Sequence, residues 1–235
     1  MHILAIETTG AYASVALAED DKIISKVEGH DRFSHLQNLT PQISQVLGEA
    51  GLSIGDLDAI AVSQGPGSFT GIRIGVSTAR ALGQVSGRLC VPVPTLEALA
   101  MRGGQAADAK ADTLICPILD ARRSQVYGGG YFLEDGFPVE MVKAGPYTME
   151  EFLELIAEYD SVLFLGDGVD AYREKIESFR SGGLAFAPLY QDAEQVAVLG
   201  KRLFERGISF SYEGLKPEYM RLPEAERKLR EKQGK

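Results

Sequence analysis

The stretch AIAVSQGPGSFTGIRIGVSTARALGQ occupies Ala59–Gln84 and predicts a strand, a glycine loop and a helix in direct succession. The apolar run Ala59–Ser63 has the length and composition of a buried strand. Three glycines interrupt the apolar pattern between Gly65 and Gly71, and Ser68 or Thr70 is suited to cap the helix that follows. Apolar side chains then return at helical spacing and share one face of that helix: Ile72, Val76, Ala79, Leu82 and Val85.

The glycine loop has two interpretations that the residues leave open. Free amides at the start of a helix suit an anion, which favours a phosphate-binding loop. However, no lysine follows Gly71, and the glycines at 65, 67 and 71 span one residue more than those of the dinucleotide signature. The alternative is a turn whose glycines only allow the helix to pack closely.

The composition is that of a packed globular protein, with 235 residues of which 45% are hydrophobic. A net charge of −9 argues against broad, sequence-independent binding of nucleic acid, because such binding relies on Lys and Arg. The first residues lack the basic segment of a signal peptide, and no segment approaches the roughly 20 apolar residues that span a bilayer. Cys90 and Cys116 lie in apolar runs typical of buried free thiols. We therefore expect a cytoplasmic protein without a membrane segment.

The end of the chain differs in charge from the rest. Lys216–Lys235 carries seven basic and four acidic residues, a net charge of +3, which leaves −12 for the remainder. A solvated end is favoured over an RNA-binding arm. We expect residues 223–235 to form a charged, flexible tail.

The chain reads as two halves with a similar order of elements. Three strands (HILAIET, ASVALAE and KIISKVEG) open the first half, and a helix follows over Ser34–Ala50, in which Pro41 predicts a kink or a restart. The connection GGQAADAKAD leads to a second strand, polar turn and strand in DTLICPILDARRSQVYGGGYF. We expect two related subdomains, residues 1–105 completed by 192–222, and residues 112–191. The remaining predicted elements are a helix at Thr148–Tyr159, the strand SVLFL, a helix from Val169 and a final helix at Glu194–Arg206.

Three polar turns follow predicted strands, at Glu7-Thr8-Thr9, Asp120-Ala121-Arg122 and Gly166-Asp167-Gly168. Their order resembles the actin, sugar-kinase and heat-shock ATPase superfamily, whose two related subdomains present such turns to phosphates. Within that superfamily the chain is similar to the TsaB (YeaZ) family, relatives of TsaD. The resemblance implies an α/β fold of the actin-like ATPase (ASKHA, ribonuclease H-like) type. Four segments carry it: Ile3–Leu17, Ser63–Gly75, Asp120–Tyr131 and Pro217–Glu226.

For function, the resemblance implies a non-catalytic dimerisation subunit of the complex that forms threonylcarbamoyladenosine next to the anticodon of tRNA. The implied partners are the TsaD transferase, in a heterodimer, and the ATPase TsaE, with a homodimer when the chain is alone and tRNA met through the complex. No cofactor is expected to be required, and any binding of ATP or ADP in the complex is expected to be weak. The residues implied for a vestigial nucleotide site are Glu7, Thr8, Thr9, Gly65, Gly67, Asp120, Gly166, Asp167 and Gly168.

The residues themselves offer little catalytic chemistry. A metal-dependent transferase of the TsaD kind uses two histidines one helical turn apart, and the corresponding segment here, Pro94–Ala100, has none. We therefore expect neither a catalytic residue nor a metal site. Two other hypotheses stay open. One is an independent ATPase or small-molecule kinase in the same cleft, for which no base is identifiable. The less favoured one is a peptidase with Ser68 as nucleophile and His35 as base.

A dimerisation subunit needs an apolar surface left over after its core is built. The helices at Ser34–Ala50 and Ile72–Val85 are the candidates, and the family resemblance implies that they pack against the same pair in a partner. The alternative is that their apolar stripe faces the chain's own sheet. The residues assigned to the partner interface are His35, Leu36, Leu39, Ile43, Ile72, Val76, Ala79 and Gly83.

Overall fold

A computed structural model describes residues 1–32, 34–106, 112–179 and 182–221. The first half contains a five-stranded mixed sheet in the order β3-β2-β1-β4-β5. The first three strands form an antiparallel meander, and the last two lie parallel to β1. The strands are β1 (His2–Glu7), β2 (Ser14–Glu19), β3 (Lys22–Glu28), β4 (Ala59–Gly65) and β5 (Leu89–Pro94).

The second half repeats this topology. Its sheet has the order β8-β7-β6-β9-β10, again with an antiparallel meander followed by two parallel strands. The strands are β6 (Leu114–Asp120), β7 (Gln125–Glu134), β8 (Phe137–Thr148), β9 (Val162–Leu165) and β10 (Leu184–Ala187).

Six α-helices in the described ranges cover the two sheets: α1 (His35–Ala50), α2 (Phe69–Ser86), α3 (Thr95–Ala106), α4 (Met149–Leu155), α5 (Gly168–Phe179) and α6 (Ala193–Glu205). The helices α1 and α2 pack on one face of the first sheet, and α4 and α5 hold the equivalent place on the second. The helix α6, from the second half, covers the other face of the first sheet, whereas α3, from the first half, packs on the second sheet. This exchange ties the halves together.

The periodicity of the sequence explains the buried layers. Strands of the first sheet alternate between two clusters, so that Leu4 and Ile6 meet α1 and α2 while Ile3 and Ala5 meet α6. Each helix presents one apolar stripe to the sheet that it covers. The predicted opening meander, the strand and helix around the glycine loop, and the strand–turn–strand at Asp120 are all confirmed.

Two predictions about local structure need correction. Pro41 does not restart a helix, since α1 is continuous from His35 to Ala50, and buried side chains on both sides of the proline hold the turn that lacks its hydrogen bond. The first residues of the predicted connection are helical, since α3 extends to Ala106. Gly103 and Gly104 have no Cβ atom, which allows α3 to lie close to the side chains of Leu165 and Leu133. The strands β8 and β10 were not predicted.

Other expectations stay predictions. The division into subdomains, with boundaries at residues 105–112 and 191–192, stays a prediction. The predicted tail, residues 223–235, lies outside the described residues. Within the described ranges, no helix combines the length and the apolar character that crossing a membrane requires.

Candidate functional site

The turn after β1 is closed by hydrogen bonds within the chain. The side chain of Glu7 is buried, and its carboxylate accepts hydrogen bonds from the Thr9 amide, the Thr9 hydroxyl (2.6 Å) and the Ser63 hydroxyl. Burial raises the pKa of Glu7, and these three hydrogen bonds oppose that effect. The Glu7 carboxylate therefore joins the turn after β1 to β4.

The glycine loop packs against the same turn. The Thr8 hydroxyl donates to the Gly71 carbonyl at 2.8 Å, and the Ser68 amide donates to the Thr9 carbonyl at 2.8 Å. A Cβ atom at Gly71 would overlap the Thr8 carbonyl oxygen, so this approach requires glycine. The Gly71 amide is bound by the Ser68 side chain at 3.2 Å, which confirms Ser68 as the helix cap. Two amides that an anion would use are thus occupied, which favours the close-packing interpretation of the loop.

The turn after β6 is more exposed and more strained. The Asp167 carboxylate accepts from the Asp120 amide at 3.0 Å, and the Asp120 carboxylate accepts from the Arg122 amide at 2.8 Å. Burial is the main cause that raises the pKa of Asp167. The φ angles of Arg122, Arg123 and Ser124 are 64°, 57° and 61°, a left-handed conformation that is uncommon for residues with a Cβ atom. The Arg122 guanidinium group also forms an ion pair with the Asp120 carboxylate at 3.1 Å.

A cavity of about 690 Å³ separates the two turns. Of the nine residues implied for a vestigial nucleotide site, four line this cavity: Thr9, Gly67, Asp120 and Asp167. The remaining five do not line it: Glu7, Thr8, Gly65, Gly166 and Gly168. The structure therefore brings together the two halves of the implied site, but the carboxylate of Glu7 is not part of its surface.

Sequence reasoning missed several residues of the cavity. Tyr12, Tyr127 and Tyr190 contribute aromatic rings, and Arg102 contributes a guanidinium group. Arg102 donates to the Tyr190 carbonyl at 2.6 Å and pairs with the buried Asp192 at 3.2 Å. No short motif marks these residues, because they come from two loops, a helix and a strand that are far apart in the chain.

The candidate peptidase residues have other partners. The Ser68 hydroxyl caps α2, and a ring nitrogen of His35 bonds the Gly10 carbonyl at 3.0 Å. Burial lowers the pKa of His35, so its imidazole is neutral near pH 7. These contacts place His35 as a brace for the loop after β1. In the part of the chain that the structure describes, no group of three or more His, Cys, Asp or Glu side chains is arranged to hold a metal ion.

The structure corrects the predicted partner interface. Of the eight residues assigned to this interface, Leu36, with 78% exposure, is the one that lies on the surface. The other side chains belong to the core of the first half because the apolar stripe of each helix faces the chain's own sheet. The corrected residues, all buried, are His35, Leu39, Ile43, Ile72, Val76, Ala79 and Gly83.

The outward surface of α1 and α2, which we call the outer helix face, is poor in charge. It consists of fifteen exposed residues, of which three are charged, Glu49, Arg73 and Arg80. The uncharged ones are Leu36, Gln37, Thr40, Pro41, Ser44, Gln45, Gly48, Thr70, Ser77, Ala81, Gln84 and Val85. By comparison, seven of the eleven exposed residues of α4 and α5 are charged, and a surface so poor in charge is typical of the centre of a protein interface.

Comparisons with known proteins agree with this geometry. The family model described as "TsaD: tRNA N6-adenosine threonylcarbamoyltransferase" matches residues 32–228. The tRNA threonylcarbamoyladenosine biosynthesis protein TsaB of Bacillus subtilis is 34% identical over 99% of this chain and 100% of its own length.

Solved structures show the same fold. An uncharacterized protein from Pseudomonas aeruginosa, described as similar to peptidase YeaZ, has a TM-score of 0.84 and 28% identity over 94% of this chain and 99% of its own. The ROK hexokinase from Thermus thermophilus has a TM-score of 0.50 and 15% identity over 88% of this chain and 100% of its own. The second likeness concerns the fold alone, which is that of the actin-like ATPases.

Proposed function

The chain belongs to the TsaB family of tRNA threonylcarbamoyladenosine biosynthesis proteins, and we propose that it is a non-catalytic dimerisation subunit of the complex that makes this modification. In this proposal it pairs with a TsaD transferase and acts with TsaE on the adenosine next to the anticodon. Alone, the chain forms a homodimer through the surface that pairs with TsaD. The complex with TsaD and TsaE acts on tRNA in the cytoplasm, and the chain meets tRNA through this complex.

The outer helix face is the observation that carries the proposal. It is broad, because two adjacent helices contribute to it, and it has few charges to desolvate when a partner covers it. Leu36 at one end and Val85 at the other, each 78% exposed, are apolar side chains that a partner can bury. The proposed partner surface is the equivalent pair of helices in TsaD, whose family model matches residues 32–228 of this chain.

Two features of the cleft support a non-catalytic role. The acidic residue that could approach a nucleotide from the first half, Glu7, is buried and bonded to Thr9 and Ser63. The loop amides of Ser68 and Gly71 are bound by protein oxygens, so they are not available to phosphates in this conformation. These groups therefore offer no contact to a nucleotide in this cleft, which agrees with weak binding.

The test is reconstitution with each part left out. The purified chain, TsaD and TsaE are combined with tRNA, ATP and the threonylcarbamoyl donor, and modified adenosine is quantified by mass spectrometry. We expect modification only when this chain and TsaD are both present. If the chain modified tRNA alone, or if TsaD and TsaE were fully active without it, the proposal would be wrong.

An independent ATPase or small-molecule kinase is the second candidate, and the cavity of about 690 Å³ between the two turns is the observation that favours it. Asp120 lines this cavity and is partly exposed, so it is the better residue to change than the buried Glu7. Steady nucleotide turnover by the purified chain that Asp120→Asn abolishes would favour this candidate. Turnover that survives the change would point to a contaminant.

A further inference from the structure

The segment Leu215–Arg221, which we call the C-terminal strap, runs from the core of the first half to the turn after β6. It follows α6 and a short contact with β5, where Cys90 and Phe210 exchange backbone hydrogen bonds of 2.8 and 2.9 Å. The strap contacts the glycine loop, the outer helix face and the turn after β6.

The beginning of the strap is anchored in the first half. Leu215 is completely buried in the cluster beneath α1 and α2. The Glu218 amide donates to the Gln64 carbonyl at 2.8 Å, and the Gln64 side-chain amide donates to the Glu218 carboxylate at 2.8 Å. A Cβ atom at Gly65 would overlap the Glu218 carbonyl oxygen, so the strap lies directly on the glycine loop.

The middle of the strap touches the outer helix face. The Tyr219 ring lies 4.6 Å from the Phe69 ring, measured between centroids. The Arg73 side chain donates to the Tyr219 hydroxyl at 2.9 Å, and its guanidinium carbon lies 3.9 Å from the Phe69 centroid. Arg73 is one of the three charged residues of the outer helix face. A partner that covers this face thus meets a side chain that is bonded to the strap.

The end of the strap reaches the second half. Met220 packs against the cluster that joins α3 to the second sheet. The Arg221 guanidinium group donates to the Ala121 carbonyl at 2.8 Å. Ala121 begins the strained turn, which is otherwise closed by the hydrogen bond from the Ala121 amide to the Gln125 carbonyl at 3.0 Å.

We propose that the C-terminal strap couples the outer helix face to the turn after β6. A protein partner that packs on Arg73 restrains Tyr219, and Met220 and Arg221 transmit this restraint to the second half. Two-domain folds that bind ligands in a cleft commonly change the angle between their domains, and the strap crosses the joint where such a change would occur. Pairing then holds the two halves of the cleft in one arrangement. The coupling to a partner rests on the proposed function, whereas the restraint by the strap does not.

The test is amide hydrogen exchange at Ala121 and Gln125, both of which are hydrogen-bonded within the turn. Arg221→Gln removes the bond to Ala121. The matched control is Lys216→Gln, which removes an exposed positive charge from the same segment. In the free chain we expect exchange in the turn to be about tenfold faster in Arg221→Gln than in Lys216→Gln, as expected for the loss of a charge-assisted hydrogen bond. Circular dichroism and the exchange of β1 amides verify that the fold is kept.

The second arm adds TsaD. Because the homodimer covers the same face, the reference is the chain diluted until sedimentation shows a monomer. Relative to that monomer, pairing is expected to slow exchange in the turn about fivefold or more in the wild-type chain and in Lys216→Gln, and in Arg221→Gln this slowing is lost. Sedimentation measures pairing in each sample, so a failure of the coupling is distinguished from a failure of the proposed function. Equal exchange in the two free variants would overturn the restraint. Pairing without slowing in the wild type would overturn the coupling while leaving the proposed function intact, and a wild-type chain that does not pair at all would overturn both.

Discussion

The helix pairs α1/α2 and α4/α5 occupy equivalent places on their sheets but differ on their outward surfaces. Three of fifteen exposed residues are charged on the first pair, and seven of eleven on the second. Both pairs bury apolar stripes against their sheets in the same way. The seven charged residues of the second pair are Glu150, Glu151, Glu154, Asp170, Arg173, Glu174 and Glu177.

This difference shows which constraint acts on each surface. Packing on a sheet determines the inward face of a helix, and it is met equally by both pairs. The outward face is free to suit its surroundings, and a charged one suits water, whereas an uncharged one suits another protein. The two halves thus share a topology but differ in surface: one helix pair is highly charged, and the other has the low charge that the proposed partner surface requires.

The largest expected effect concerns the two faces of α2. Val76→Asp places a carboxylate in the buried cluster, and we expect it to lower the free energy of unfolding by more than about 4 kcal/mol. Ala81→Asp changes an exposed residue of the same helix, so its effect should stay within about 0.5 kcal/mol. Urea unfolding of both variants measures the difference. Equal stability of the two would mean that the inward face has been misassigned.

The next effect separates the two helix pairs. Leu36 is exposed in the chain and is buried by TsaD in the proposed complex, so Leu36→Asp on α1 should weaken pairing at least about 30-fold by placing a charge in the interface. Leu155→Asp on α4 changes an exposed leucine of the second pair, and pairing should not change. Titration calorimetry gives both affinities. Similar losses in the two variants would contradict a partner surface confined to the first pair.

A third prediction concerns the joint between the halves. Burial, with repulsion from Glu140 and Glu218, raises the pKa of Glu97 on α3 to about 7. Since the carboxyl is easier to ionise in the unfolded chain, the folded state loses stability as pH rises from about 4.5 to about 7. The loss from this group is about 3 kcal/mol. Unfolding curves at pH 5 and pH 8 should show a smaller decline in Glu97→Gln than in the wild type, and parallel curves would exclude this group as the cause.

The smallest effect compares the two turns. The first turn is buried and bonded, whereas Ser124 in the second is exposed with a φ of 61°. Glycine adopts this conformation without strain, so Ser124→Gly should stabilise the chain by about 0.5 kcal/mol despite the greater freedom of the unfolded state. Ser178→Gly, in the helix α5, should instead destabilise by a similar amount. Thermal unfolding distinguishes the signs, and a destabilising Ser124→Gly would show that the turn is not strained.

Local periodicity made much of the fold predictable. Alternation in β1 and β2 and the helical spacing after Gly71 depend on neighbours in the chain, so they are visible in the sequence. The strands β8 and β10 were missed because they lie at the edges of the second sheet, where few of their residues are buried. The cap at Ser68 was found because its hydrogen bond spans only three residues.

The candidate site was less predictable, since its contacts join distant residues. The pairing of Gln64 with Glu218 and that of Arg221 with Ala121 connect residues about a hundred or more positions apart, and no local pattern marks them. The same applies to the bond between Ser63 and Glu7, which turned a candidate nucleotide contact into a structural brace.

The sequence by itself determined the order of the elements, the family and the glycine loop that launches α2. Only the tertiary structure decided that Val76 faces the chain's own sheet, that Leu36 faces outward, and that the loop amides are occupied by the neighbouring turn. The physical reason is that helical spacing tells which residues share a face, whereas the identity of what covers that face depends on how the sheets, turns and strap are arranged in space.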